Sequence, residues 1–447
     1  MNINNKERLN QDTMRKYWLL RLANGCKEVV TDWRKAVTFI FYLISAVFIC
    51  KFRGTLFPAQ GGMPFDPLLQ QIIQLLVIVY AIGGAILLLI ALGTPFGSKR
   101  TRDNLLRIGL TNRAGEAPLL LSKKKDKSGK RLTVLEFMSN GIPLHEWENR
   151  KLEIQTALNV NVVRVTEGQD KLRVLLYVVA AKNAIPKMIY WKEEHLSTKD
   201  FELVLGEGLL GQEIVDLSKT THVLLGGSTG SGKSVLLKSL TMQCLKKGAK
   251  VFISDFKGGI DFPWIWHKKC TIVTDETALI ELLNSIVDEI ELRTTILKKS
   301  GHANIVKYNQ YAAEKLQRWV FVCDEVAEML DKTGADKSRK DVISEIEAQL
   351  STIARSGRAF GIHMILATQR PDANVLPGQI KSNFDCRICG RADNVLSMII
   401  LDNVSAAEQI PKDIQGRFIT NMGTIFQGYI FDDNRTLNGV RDFQELV

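Results

Sequence analysis

The sequence predicts an α/β protein in three parts: a large domain of alternating strands and helices, a small α/β domain before it, and an N-terminal transmembrane hairpin of two helices. Three observations carry this. Residues 226–234 read Gly-Gly-Ser-Thr-Gly-Ser-Gly-Lys-Ser directly after the apolar run Thr221-His222-Val223-Leu224-Leu225. Runs of strand and helix pattern alternate from about residue 201 onward, which argues for a mostly parallel, three-layer sheet. Two uncharged apolar stretches, Ala36–Cys50 and Pro67–Ser98, precede all of this.

Within the first stretch, Arg34-Lys35 stand on one side and Lys51 and Arg53 on the other. It is short for a bilayer, which needs ~20 apolar residues, unless Trp33 and the basic flanks act as interfacial anchors. The second stretch is long enough on its own. A cleaved signal peptide is disfavoured, because the first run starts far from Met1 and the second follows closely. The expected layout is a cytoplasmic tail 1–35, a first span 36–51, an external loop 52–67 and a second span 68–95. A basic juxtamembrane segment and small α/β domain would occupy 99–200, and the large domain 201–447. Residues 1–35 carry eight basic against four acidic side chains, and 99–131 carry eleven against three, including Lys123-Lys124-Lys125. The intervening loop holds only Arg53 and Asp66, so both flanks are placed in the cytoplasm.

The net charge of +11 belongs to this membrane region. Residues 1–131 hold 21 basic and 8 acidic side chains, and the other 316 residues hold 38 and 40. High basicity is therefore no argument for nucleic-acid binding, although local basic loops are compatible with it. Seven scattered cysteines fit a reduced compartment. Cys386 and Cys389 form a C-x-x-C that falls in a strand, where positions three apart face opposite sides, so zinc is not expected.

In the small domain, strands are expected at 131–137, 160–165 and 172–179, and a helix at 144–158. In the large domain, strands are expected at 221–225, 250–254, 271–273, 319–323, 362–367 and 386–390, with helices at 235–247, 276–299 and 341–357. The polar stretch Asp331–Asp341 reads as a mobile loop. Gly206-Glu207-Gly208-Leu209-Leu210-Gly211 fits G-x-G-x-x-G, but a strand rather than a helix follows, so a hairpin turn is the better account. His145-Glu146 begins like a zinc-protease helix, but the second His position holds Asn149.

The phosphate loop is the strongest chemical signal. It has the form G-x-x-x-x-G-K-[ST], with Gly227, Gly232, Lys233 and Ser234 at the fixed positions. Ser228, Thr229, Gly230 and Ser231 complete a backbone cradle for a nucleoside triphosphate, and the following helix points its positive end there. Lys233 reaches for the β- and γ-phosphates, and the Ser234 hydroxyl for Mg²⁺. Trp319–Glu325 reads as a buried parallel strand ending in two acids. Asp324 is placed to hold Mg²⁺, directly or through water, and Glu325 to polarise the attacking water. Gln369, at the end of the strand 362–367, either senses the γ-phosphate or is simply a polar strand end. ATP and Mg²⁺ are the expected cofactors.

Taken together, Gly206–Leu217, Thr221-His222 with the phosphate loop, and Asp255-Phe256-Lys257 resemble the FtsK/SpoIIIE family of DNA-pumping ATPases. So does the run Arg358-Ala359-Phe360-Gly361-Ile362-His363 through Ala367-Thr368-Gln369-Arg370-Pro371. Ile380-Lys381-Ser382-Asn383, Arg387-Ile388, Ile400-Leu401-Asp402 and Ala407-Glu408 follow in family order. The resemblance spans about 200–435. It implies a RecA-like P-loop NTPase domain that assembles as a homo-hexamer with ATP at each subunit interface. In that picture Arg358, or alternatively Arg387, is the finger acting on a neighbour's ATP, an effect worth ~10³–10⁵ in rate; an intrasubunit salt bridge is the rival role of either. Asp255 and Lys257 have no assigned role. The trimmed layout, with two membrane helices and no reader domain, is similar to the FtsK-type coupling proteins of Gram-positive conjugative elements. That implies a bacterial cell-membrane DNA translocase whose partners are DNA of undetermined form, a relaxase and secretion-channel proteins. Alternatives are a chromosome or plasmid pump at division and a protein-secretion ATPase of the same fold. Lys332, Lys337, Arg339 and Lys340 are candidate pore-loop residues, with a solvated loop as the plainer account.

Overall fold

The computed structural model describes residues 3–57, 66–126, 132–369 and 377–442. The chain divides into two units, Met1–Asn183 and Ala184–Val447.

The first unit opens with a 29-residue helix, Ile3–Thr31, where the sequence predicts only a tail. Asp32 then caps the helix Trp33–Leu56 by accepting from the Arg34 N–H. The second apolar stretch forms Asp66–Ile78 and Gly84–Leu92, joined without a break by a π-helical turn, Val79–Gly83. Among the described residues, Trp33–Arg53 and Leu68–Leu92 are long and apolar enough to cross a membrane, and their side chains are largely exposed. The first span is thus longer than the predicted 36–51, because Trp33 and the basic flanks continue the helix. Half of the predicted external loop, residues 58–65, lies outside the described residues.

The N-terminal helix lies against the end of the second span with almost no side-chain spacer. A Cβ on Gly25 would fall 1.9 Å from the Leu89 carbonyl oxygen, and one on Gly93 would fall 2.2 Å from that of Arg21. The Arg21 side chain is fully buried here and donates to the carbonyls of Gly93 (2.9 Å), Leu121 (2.9 Å) and Leu120 and to the Tyr17 hydroxyl (2.6 Å). Carbonyl oxygens hold the two terminal nitrogens of this buried cation in place of a carboxylate, and its Nε has no hydrogen-bond partner among the described residues.

The small domain of this unit is an antiparallel sheet of β1 (Leu119–Lys125), β2 (Thr133–Met138), β3 (Val160–Glu167) and β4 (Arg173–Ala180), in spatial order β1-β2-β4-β3. Phe137, Trp147, Ile154 and Leu176 form its core at 0% exposure. β1 was not expected, because Lys123-Lys124-Lys125 reads as a basic flank. The predicted helix 144–158 is two helices, Leu144–Asn149 and Lys151–Leu158, broken where Arg150 leaves helical geometry at φ −97°, ψ 18°.

The second unit begins at residue 184 rather than 201, because the segment from 184 onward pairs within it. Its strands are β5 (Ile189–Tyr190), β6 (Glu202–Gly208), β7 (Gly211–Asp216), β8 (Val223–Gly226), β9 (Lys250–Ser254) and β10 (Thr271–Val273). They continue as β11 (Trp319–Cys323), β12 (Ile362–Thr368), β13 (Cys386–Cys389), β14 (Arg417–Thr420), β15 (Ile425–Gln427) and β16 (Tyr429–Ile430). Ten of them form one sheet in the order β10-β9-β11-β12-β8-β13-β14-β15-β6-β7. The run from β10 to β13 is parallel, and the remainder is antiparallel. β6 and β7 form a hairpin, with Gly211 at φ +111° in its turn.

The parallel strands are apolar throughout because both faces are covered. Leu224, Phe321, Met364 and Leu366 pack on the helices Glu276–Ser300 and Lys337–Phe360. Val223, Leu225, Val320, Val322 and Ile365 pack on the helix Lys233–Lys246. Burying each such side chain contributes roughly 1.5–3 kcal/mol. The predicted mobile loop 331–341 is corrected: Asp336 caps the helix Lys337–Phe360 by accepting from the Arg339 N–H at 2.8 Å. Lys332 pairs with Glu347 and Arg339 with Glu276, so neither is a free loop cation. The polar first turn disguised a helix whose apolar positions begin only at Val342.

Candidate nucleotide site

Strand order decides what can meet. β12 lies between β8 and β11, and Gly226 at the tip of β8 is in register with Thr368 of β12. The phosphate loop, Gln369 and the two acids after β11 therefore stand side by side along the carboxyl edge of the sheet. Gly230 (φ +74°) and Gly232 (φ +95°) supply left-handed backbone that other residues rarely adopt. A Cβ on Gly227 would fall 2.5 Å from the Ser231 Oγ, so the loop has no room for one.

Lys233 and Asp324 are both nearly inaccessible, at 4% and 2% exposure. The Lys233 ammonium donates to Asp324 Oδ1 at 3.0 Å and also to the Asp324 carbonyl. The Ser234 hydroxyl donates to the same carboxylate at 3.0 Å. Lys257 adds a third contact, 3.3 Å from Asp324 Oδ2. Burial alone would raise the Asp324 carboxyl, but the Lys233 and Lys257 ammonium groups and the Ser234 hydroxyl outweigh it and hold the group below its usual range. Burial likewise opposes the charge on Lys257, and its carboxylate neighbours Asp324 and Asp261 reverse that and push it upward.

Glu325 is buried, and each of its carboxylate oxygens accepts a hydrogen bond. Thr368 Oγ1 donates to one carboxylate oxygen at 2.8 Å, and the Gln369 N–H to the other at 2.9 Å. The Gln369 side chain reaches the opposite way and accepts from Thr229 Oγ1 of the phosphate loop at 2.9 Å. Gln369 thus touches both halves of the site, which a strand-end reading does not account for. Arg370 and Pro371 lie outside the described residues.

The two arginines separate. Arg387 donates to Asp402, which Lys381 also contacts at 2.6 Å. Those hydrogen bonds, Lys381 first, hold the Asp402 carboxyl below its usual range against a smaller effect of burial. Arg358, in the last turn of Lys337–Phe360, is exposed and has no ion-pair partner among the described residues.

Two participants escape a linear reading. Arg391 follows β13, whose place beside β8 is not written in the sequence order. Its Nη2 donates to the Thr229 carbonyl at 2.7 Å and its Nη1 to the Lys412 carbonyl at 3.0 Å, while its own carbonyl accepts from the Ser228 N–H at 2.8 Å. Gly390-Arg391 at a strand's carboxyl end was the available signal. The second is a 470 Å³ pocket against Gly232, walled by Met188, Val235, Ile414, Phe418 and Tyr429. That volume and its apolar walls suit the nucleoside part of a nucleotide.

A model of the FtsK/SpoIIIE family matches residues 187–373. The solved pCW3 conjugation coupling protein TcpA, in its monomer form with ATPγS, is 36% identical, with a TM-score of 0.57. The alignment covers 76% of this chain and 96% of that one. The chain belongs to the FtsK/SpoIIIE family. Its nucleotide-binding unit is a P-loop ATPase domain of that family, and its mixed α/β fold matches that of TcpA. Among curated relatives, the DNA translocase SftA of Bacillus subtilis (strain 168) is 27% identical over 312 residues, 63% of this chain and 32% of SftA. The DNA translocase FtsK of Chlorobaculum tepidum is 35% identical over 226 residues, 46% of this chain and 27% of FtsK. The chain thus spans about a third or less of the length of these two relatives.

Proposed function

We propose that this FtsK/SpoIIIE ATPase is a membrane-anchored, ATP-driven DNA translocase that acts as the coupling protein of a conjugative transfer channel. The observation that carries this is the 36% identity to a conjugation coupling protein across 96% of that protein's solved chain. The two apolar helices anchor it as a hairpin, with the N-terminus and the ATPase domain in the cytoplasm. A relaxase and channel proteins are the partners this role requires.

In this reading the phosphate-loop N–H groups beyond Ser228, whose own N–H is held by the Arg391 carbonyl, cradle the triphosphate, and Lys233 neutralises charge at its β- and γ-phosphates. Ser234 and Asp324 fit Mg²⁺: their oxygens already converge, and the buried Asp324 carboxylate is held ionised. When bound, the metal supplies further neutralisation of the transferring phosphate. Glu325, oriented by Thr368 and the Gln369 N–H, takes the proton of the attacking water. Gln369 links Glu325 to Thr229 and is placed to register the γ-phosphate. Arg358 is the finger that acts on a neighbouring subunit's ATP in a homo-hexameric ring, since Arg387 is committed to Asp402 in its own chain.

A second reading has its own observation: SftA and FtsK are named DNA translocases with no reference to conjugation. A chromosome or plasmid pump uses the same site. The experiment that tests the proposal is ATP turnover by the reconstituted chain with no DNA, with single-stranded DNA and with duplex DNA, against Lys233→Ala as blank. Stimulation by either DNA is expected. Turnover indifferent to both, in an assembled ring, would overturn the translocase reading.

A further inference from the structure

At the inner end of the membrane hairpin, the N-terminal helix, the residues that close the second span and the sheet edge at β1 enclose a pocket of 220 Å³. Five of its side chains are basic: Lys27, Lys35, Lys123, Lys124 and Arg173. Its two carboxylates are already engaged. Glu28 pairs with Lys35 at 2.8 Å and more loosely with Lys124 at 3.6 Å, and Glu136 pairs with Arg173 at 2.8 Å. Lys27 and Lys123 have no carboxylate partner among the described residues, so the pocket carries a positive surplus that its own walls leave unmatched.

The walls are fixed relative to one another. Arg21 fastens the N-terminal helix to Gly93 and to Leu120 and Leu121 of β1, and the Gly25 and Gly93 approaches leave no slack between the helix and the span. Around this end, Trp18 is 48% exposed, Trp33 71% and Phe96 97%. Exposed aromatics at the end of an apolar span mark the headgroup level of a bilayer. Basic pockets at that depth, on the cytoplasmic side, suit anionic headgroups.

We propose that this pocket binds the phosphodiester headgroup of one anionic phospholipid, with Lys27 and Lys123 as the charges that hold it. The proposal rests on the membrane-anchored reading above. A phosphodiester supplies the negative charge the pocket lacks, and its acyl chains have an apolar surface to follow along Leu68–Leu92. A DNA backbone fits the place less well, because Glu28 and Glu136 interrupt the basic wall that a strand of phosphates would track.

The test uses the full chain in nanodiscs of equal parts phosphatidylcholine and phosphatidylglycerol, with retained lipid counted by native mass spectrometry. Wild type is expected to retain one phosphatidylglycerol in preference to phosphatidylcholine by ~10-fold, and K27Q/K123Q to fall close to parity. K27R/K123R should keep the preference, and so should K99Q/R100Q, which removes two nearby charges outside the pocket. No preference in wild type, or equal loss in K99Q/R100Q, overturns the site in favour of diffuse attraction. Displacement by inorganic phosphate reassigns it to a free anion, and displacement by a short duplex reassigns it to nucleic acid; either result overturns the lipid. Insertion into phosphatidylcholine alone is measured separately. A chain that inserts but retains no phosphatidylglycerol loses only the site, whereas one that stays outside loses the membrane anchor as well.

Discussion

The phosphate-loop region and the end of the helix Lys337–Phe360 are built on opposite terms. On the phosphate-loop side every charge is answered within the chain: Lys233 by Asp324, Asp324 again by Ser234 and Lys257, Glu325 by Thr368 and the Gln369 N–H. At the end of the helix Lys337–Phe360, Arg358 is exposed and unanswered among the described residues. The first side is preorganised at the cost of desolvating charges that must stay paired. The second keeps a cation available, which is what the proposed action on a neighbour's ATP requires. Under the role proposed for Arg358, nucleotide binding is a property of one chain and hydrolysis of two.

The hardest blow to this contrast is Lys233→Ala. Turnover should fall by ~10³-fold or more in an ATPase assay, with membrane insertion intact, since the proposed mechanism relies on this lysine to neutralise the β- and γ-phosphates. Unchanged turnover would remove the site assignment. Arg358→Ala should cost ~10³-fold in turnover while leaving the melting temperature where it was, because nothing in its own chain depends on it. Mixing it with Lys233→Ala subunits should restore part of the rate. If the two assemble and no rate returns, the division between the sides is false. Glu325→Gln should retain ATP and slow its hydrolysis by ~10²-fold, measured as binding and turnover on the same sample.

A smaller effect sharpens the buried side. His222 accepts from the Met364 N–H and donates to the Ala354 carbonyl, and burial pushes its imidazole from 6.5 down to about 4. The unfolded chain takes the proton more readily, so this contribution to stability is whole above pH 6.5 and is lost as pH falls towards 4. Up to ~3 kcal/mol is at stake. Denaturant midpoints of wild type and His222→Gln across that window should differ in slope by about one proton. The smallest change is Arg387→Ala. It should cost at most ~1 kcal/mol of stability, the range of exposed pairs, and leave turnover nearly intact.

What the sequence made legible was whatever local pattern encodes. β9, β10 and β11 fall on the predicted residues, because continuous β-branched and aromatic runs bounded by turns leave little choice. The phosphate loop, Asp324 and Glu325 were readable for the same reason. Neighbourhood was not. Nothing in the run Cys386–Arg391 says that β13 lies beside β8, so Arg391 stayed unseen until the sheet was ordered. The polar helix start at Lys337 and the strand over Lys123-Lys124-Lys125 were hidden because their charges pointed to solvent.

The order of the strands also governs how the chain comes to be folded. β6 and β7 are synthesised before the phosphate loop, yet β6 finds its other neighbour only in β15, where Phe426 meets Gly208. Until residue 427 has left the ribosome, that hairpin offers an open edge, a liability for any strand that waits. Lys233 and Asp324, 91 residues apart, also depend on parallel pairings of long sequence separation, which form slowly. The ATP site therefore depends on contacts of the slow-forming kind, and the hairpin laid down early waits for a neighbour translated about 200 residues later.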